Sequence, residues 1–312
     1  MRIWVLTIIW FFTALTNIKA EELLPTEPQS YADLTIDDAR AHAIVLAGSP
    51  KDVRKLINSG YDLNKPYLCN TLLSTAVKSI AQEENITQSH IDALKKILLL
   101  LNNGADVNLR ACTDDGMQPL SWAVSLPFLL LNEENNAIKA LRNQIKNSAD
   151  YCDYPNIATK PCRYIQPAEQ QKIEQSIHAT YKQRMDNLLP YMMKAIKLLI
   201  KRGADVNMAD YQQQTPLHYA AGIPEELTAE PLQYLLTHGA NANRLNAYGQ
   251  NPLFIAHAAK NQNNVNLLLE YGADGTTRDK YEFLFNQSTT ATFRVLITKD
   301  SAVLMEILYW LH

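Results

Sequence analysis

A five-residue phrase recurs along the chain: Gly104-Ala105-Asp106-Val107-Asn108 returns unchanged at Gly203-Ala204-Asp205-Val206-Asn207. Variants stand at Gly239-Ala240-Asn241-Ala242-Asn243, at Gly272-Ala273-Asp274 and, more loosely, at Gly60-Tyr61-Asp62-Leu63-Asn64. Each follows a stretch rich in Leu and Ile, as at 97–101, 196–200, 232–236 and 265–269. A leucine-rich helix face closed by Gly, met again and again, is the mark of one small unit built several times over. A unit of that size cannot bury its apolar side alone, so the copies must stack. The chain is thereby confined to a solenoid of helical units, an architecture that serves mainly as a binding surface.

A second landmark follows each phrase after a short polar stretch. Its clearest copy is Thr215-Pro216-Leu217-His218-Tyr219-Ala220-Ala221, echoed at 251–256 and more weakly at 118–123 and 71–76. Thr215 can cap a helix start, and Pro216 has the fixed φ of a first helical position. The Gly residues can take the left-handed conformation that ends a helix, and the Asp and Asn after them favour a turn. Metal binding by Asp-Val-Asn is the sharper alternative reading of the same phrase.

Together the two landmarks resemble the ankyrin repeat, a unit of about 33 residues; Gly239 to Gly272 is 33 residues. The resemblance implies a mainly α fold: an ankyrin-repeat solenoid of helix pairs with short β-hairpin fingers. Five units are expected, at 35–66, 67–110, 114–210, 211–245 and 246–279. The first lacks the second landmark but has helix-start pairs, Thr35 with Asp38 and Ser49 with Asp52, so it reads as an N-terminal cap. Residues 280–312 end in a helix-like stretch, Ala302 to Leu311, and read as a C-terminal cap over the last repeat.

Insertions set this chain apart. From Asn251 to Gly272 the two landmarks are 21 residues apart, whereas from Gln118 to Gly203 they are 85 apart, an excess of 64. The extra residues, about 127–190, fall between the first and second helices of the third unit. Ala137, Ile138, Leu141 and Ile145 form one helical stripe, and Ile173, Ile177, Tyr181, Met185 and Leu188 form another. Pro167 suits a first turn, and Pro190 is expected to kink or break the second helix. Two readings stand: an antiparallel hairpin projecting from the solenoid, or an extra helical pair packed down on it.

Met1 to Ala20 reads as an export signal: Arg2, then 13 uncharged apolar residues from Ile3 to Leu15, then Ala20 as the small residue before cleavage. The apolar run is short of the roughly 20 residues a spanning helix needs, although an uncleaved anchor is the alternative; residues 21–34 would be a linker. No membrane span is expected after signal removal. Cysteine use agrees with export, since disulfides persist in oxidising compartments. The ankyrin-like alignment places Cys69 and Cys112 on neighbouring fingers, which makes that bridge reasonable, and Cys152–Cys162 would close a local loop. Four cysteines allow three pairings, and four thiols remain the other reading. Without Arg2 and Lys19 the formal charge moves from −3 to −5, which argues against nucleic acid as a partner.

No nucleophile elbow, zinc helix or phosphate loop occurs, and the seven histidines are scattered. No enzyme activity, cofactor or metal is expected. A protein partner is expected instead. By the resemblance, it would meet the hairpin tips: Arg110, Asp114, Asp115, Met117, Asp210, Tyr211, Gln212, Gln213, Arg244, Asn246, Tyr248 and Gln250. Tyr211 and Tyr248 lead, because exposed aromatics on a rigid array often carry binding energy; the alternative is that they stack on each other. The expected setting is the bacterial envelope, most naturally the periplasm. An immunity protein against a delivered toxin, or a factor supporting oxidative-stress defence, are the other readings.

Overall fold

The computed structural model describes residues 37–81, 87–110, 116–152 and 167–276. The signal-like segment, the 280–312 tail, Cys112, Asp114, Asp115 and Cys162 lie outside them. The chain divides into two compact units at Asp205/Val206. Among the described residues the first holds α1 (Asp38–Ala47), α2 (Pro50–Asn58), α3 (Leu72–Lys78), α4 (Thr87–Asn102), α5 (Pro119–Cys152) and α6 (Pro167–Lys201). The second holds α7 (Pro216–Ala221), α8 (Glu230–Thr237), α9 (Pro252–Ala258) and α10 (Gln262–Glu270).

Helices pair in chain order, and like packs on like. In the first unit α1, α3 and α5 stack in sequence while α2, α4 and α6 stack beside them; in the second unit α7 packs on α9. This is the ankyrin-repeat helical solenoid, each layer burying the stripe that its neighbour leaves open. Leu56, Leu72, Ile97, Leu120 and Ile196 of the first unit are at most 1% exposed, as are Leu217, Leu235, Leu253 and Leu268 of the second. The start of α2 is capped as the sequence implies, while the cap of α1 is Asp37 and not the expected Thr35. Ser49 and Asp52 form a reciprocal capping box on α2. On α1 the cap is Asp37, which accepts from the Arg40 amide at 2.7 Å.

The recurrent phrase is now legible atom by atom. Gly104 and Gly203 have φ of 93° and 89°, conformations that a side chain resists. The following Ala amide donates to the carbonyl five residues back, Ala105 to Leu100 and Ala204 to Leu199, both at 3.0 Å. Asp106 then accepts from the Asn108 amide at 2.8 Å, closing the turn. The Asn reaches into the next repeat. Asn108 donates to the Gly203 carbonyl at 3.0 Å and accepts from the Asp205 amide at 2.8 Å. Asn64 does the same to Gly104 and Asp106. In the second unit Asn207 binds Gly239 and Asn241, and Asn243 binds Gly272 and Asp274. Asn108→Ala removes both bonds at a solvent-accessible edge and is expected to cost about 1–2 kcal/mol of stability, read as a lower urea midpoint at unchanged m-value.

Among the described residues the fingers are turns rather than β-ribbons. One isolated antiparallel bridge, Tyr67 to Asn70, is present among the described residues. Leu68 and Cys69 between them have φ of 44° and 59°, the left-handed pair of a tight two-residue hairpin turn.

The insertion is built from the third repeat's own helices, each lengthened. Arg142 pairs with Glu174 at 2.9 Å, His178 with Glu134 at 2.5 Å and Arg184 with Glu133 at 3.0 Å, fixing an antiparallel register. Near the root Leu126, Leu130, Met185 and Leu188 are buried. Farther out Ala137, Ile138, Leu141, Ile145, Ile173, Ile177 and Tyr181 are all half-buried. Half-burial along a whole stripe is what two helices produce by covering each other, which favours the projecting arm over the packed-down pair.

Of the two outcomes expected at Pro190, a kink or a break, the break does not occur: α6 is continuous through it, and α5 likewise runs through Pro127. A proline removes one helical bond and crowds the preceding turn, but Leu126 and Leu188 near the two prolines are buried to 0% and 1% exposure, and that packing offsets the lost bonds so that each helix continues. In the register set by the ion pairs, the two prolines stand opposite each other where the arm leaves the stack.

Candidate protein-interaction surface

The second unit presents two fingers of one design. In the first, the Asp210 amide donates to the Gln214 carbonyl at 2.9 Å, and its carboxylate accepts from the Gln214 amide at 2.8 Å and the Tyr219 hydroxyl at 2.5 Å. In the second, the Asn246 side-chain oxygen accepts from the Tyr248 and Gln250 amides, both at 2.9 Å, and its amide group donates to the Gln250 side chain at 3.2 Å. The Ala247 amide ties the two together by donating to the Gln212 carbonyl at 2.7 Å.

Asp210, Asn246 and Gln250 are therefore buried at 3%, 5% and 9% exposure and spend their polar atoms on the turns. The expectation that they face a partner is corrected for that reason. Tyr211, Gln213 and Arg244 are exposed, while Gln212 and Tyr248 are half-buried. Tyr211 stands 53% exposed, with its hydroxyl accepting from Gln212 at 2.8 Å, and Gln213 sits at φ 58° with its side chain accepting from Arg244 at 3.4 Å. In the first unit Arg110 is exposed and Met117 half-buried. Cys69 is a half-cystine; its expected partner Cys112 lies outside the described residues, as does Cys162, and the Cys152 side chain is likewise not described.

Two apolar fingertip residues escaped the sequence reading. Leu68 is 57% exposed and Leu245 45% exposed. Leucine normally reads as core, but each lies just beyond the Asn that ends its phrase, Leu68 four residues after Asn64 and Leu245 two after Asn243. That position is the available signal.

Two of the buried histidines, His218 and His42, serve the scaffold. His218 accepts at Nδ1 from the Thr215 amide at 3.1 Å and from its hydroxyl at 2.8 Å, and Nε2–H donates to the Gln250 carbonyl at 3.1 Å. This arrangement needs the neutral ring, and burial pushes the pKa down to about 4. His42 donates from Nδ1 to the Thr75 hydroxyl at 2.8 Å, because that hydroxyl's own hydrogen goes to the Thr71 carbonyl. Its Nε2 is buried without a hydrogen-bond partner, and burial likewise lowers its pKa to about 4. Among the described residues no cluster of His, Cys, Asp or Glu could hold a metal ion, and no helix is long and apolar enough to cross a membrane.

Comparison with known proteins agrees with this geometry. Residues 191–279 match the family model for ankyrin repeats, in three copies. The human protein "Ankyrin repeat and SOCS box protein 6" is 40% identical over 93 residues, covering 27% of this chain and 22% of that protein. A fowlpox virus protein, "Putative ankyrin repeat protein FPV222", is 35% identical over 79 residues, 25% of this chain and 11% of its own length. A Caenorhabditis elegans "Intracellular phospholipase A2" is 29% identical over 92 residues, 29% of this chain and 8% of the enzyme. The chain thus spans about a fifth or less of the length of these relatives, and the likeness is confined to the repeats. Ankyrin repeats are protein–protein interaction modules, generally without catalysis of their own.

Proposed function

We infer that this ankyrin-repeat protein is a non-enzymatic binding module of the bacterial cell envelope that grips a partner protein through its fingertips and its helical arm. The observation that carries the reading is the exposure of Tyr211 and Leu245 at 53% and 45% on fingers whose backbones are pinned by Asp210 and Asn246. Rigid apolar and aromatic groups that lose no order on docking are what interface hot spots are made of. The export-like N-terminus and the four cysteines support an oxidising compartment, with Cys69–Cys112 and Cys152–Cys162 as the bridges.

Affinity capture from the periplasm followed by mass spectrometry identifies the partner. Tyr211→Ala with Leu245→Ala is then expected to weaken binding by about 10- to 100-fold, with the helical circular dichroism unchanged. Undiminished affinity would exclude this surface. A toxin as the partner is the second reading, favoured by the projecting arm, which has the shape of a plug for a cleft. Deletion of the gene should then sensitise cells to toxin-bearing neighbours.

A further inference from the structure

On the outer side of the first unit, α4 and α6 enclose an apolar groove floored by Ile91, Leu94, Leu98 and Leu198. The α4 residues repeat at i, i+3 and i+7, the spacing of a stripe that packs against another helix. Leu98 is 39% exposed, while Ile91, Leu94 and Leu198 are half-buried. Lysines form both rims: Lys95 on α4 and Lys194 on α6.

The charge around the groove opposes that of the chain. The formal net charge is −3, yet Lys194, Lys197 and Lys201 stand exposed along α6, and Arg54 and Lys55 along α2 beside α4. Within 50–59, 88–103 and 190–202 the sequence holds two acids, Asp52 and Asp92. Each offsets one lysine, Asp52 with Lys55 at 3.4 Å and Asp92 with Lys95 at 3.0 Å, so the excess positive charge rests on Arg54 and on Lys194 and Lys201 of α6. The surface is therefore a basic field around an apolar floor.

We propose that the groove between α4 and α6 docks an acidic amphipathic helix of a partner protein, one with an apolar i, i+3/i+4, i+7 stripe flanked by Asp or Glu. A furrow between two packed helices takes the ridge of a third, and opposite charge on the rims fixes which ridge. A bilayer surface fits less well. It requires apolar side chains to stand beyond the charged ones, and here the lysines stand out while three of the four floor residues are half-buried. Nucleic acid would use the lysines but leave the floor idle. The groove is built from residues of the first compact unit, whereas Tyr211 and Leu245 belong to the second, so this docking does not depend on the function proposed for them.

The test uses the full chain and two fluorescent peptides with one leucine stripe, flanked in one by Glu and in the other by Lys, together with vesicles of phosphatidylglycerol and phosphatidylcholine. Binding of the Glu peptide and not the Lys peptide is expected. Lys194→Glu with Lys201→Glu should weaken it about tenfold and admit the Lys peptide. Leu98→Gln, at an exposed position that the fold does not need, should weaken the Glu peptide with the thermal midpoint unchanged. Equal binding of the two peptides, no binding of either, indifference to these substitutions, or binding to vesicles in place of peptide would overturn the proposal. Fingertip substitutions leave this binding intact, so the two surfaces fail or succeed separately.

Discussion

Lowering the pH from 6.5 toward 4 destabilises the protein by on the order of 2–3 kcal/mol at each of His42 and His218. Both rings have their pKa depressed from the ordinary 6.5 to about 4, first by burial. The unfolded chain therefore takes up protons that the folded chain refuses. The stability is fully present above pH 6.5 and is lost as the pH falls through the folded value. Geometry says why the folded rings refuse. His218 would lose an Nδ1 acceptor that serves both the Thr215 amide and its hydroxyl; the Gln250 and Arg244 backbones favour a charge there, and the Arg244 side-chain charge opposes it. His42 would bury an N–H without an acceptor at Nε2; Lys78 adds to the opposition and Asp38 offsets it in part. Thermal midpoints measured from pH 7.5 to 4.5 check the slope. His218→Gln should flatten part of it and leave the part that belongs to His42, which lies in the other compact unit. An unchanged slope would mean that His218 titrates normally in the folded protein.

Ile196→Ala is expected to cost about 2–5 kcal/mol, whereas Ile173→Ala on the same helix should cost about 1 kcal/mol or less. Ile196 is wholly buried where α6 packs into the stack, so truncation leaves a cavity that its neighbours cannot fill. Ile173 is half-buried on the arm, where water enters the space its side chain leaves. Urea titration gives the two costs. Hydrogen exchange should show the Ile173 variant loosened within the arm alone, and equal costs would mean that the arm and the repeats fold as one rigid body.

Much of this architecture can be read from the letters, and the reasons differ by residue. The Gly and Asp of the Gly-Ala-Asp-Val-Asn phrase are legible because each answers a local demand, a left-handed backbone and a turn acceptor, and Thr215 with Pro216 is legible as a helix start for the same reason. The Asn bonds to the next repeat and the partners of His218 are not local, and only the fold shows them. Asp210, Asn246 and Gln250 misled because polar residues in a turn look available, while their bonds close inside the finger. Pro190 left a kink and a break both open because the rule for prolines is local, and the packing that keeps α6 continuous is not. The floor of the α4–α6 groove was beyond sequence reading, since Leu94 and Leu98 belong to the same leucine run as buried Ile97 and Leu100. Only the placement of neighbouring helices separates the covered from the uncovered.

Pro127 and Pro190 stand level with each other at the root of the arm, so the backbone there lacks an amide donor in both helices at one height. Outward of that plane the charged pairs joining Arg142 to Glu174 and Arg184 to Glu133 tie the hairpin together, and Leu130, Met185 and Leu188 are buried on that side as well. Side-chain burial therefore carries at that level what two missing backbone bonds would otherwise share, so the arm's hold on the stack rests on the fit of Leu126, Leu130, Met185 and Leu188 there.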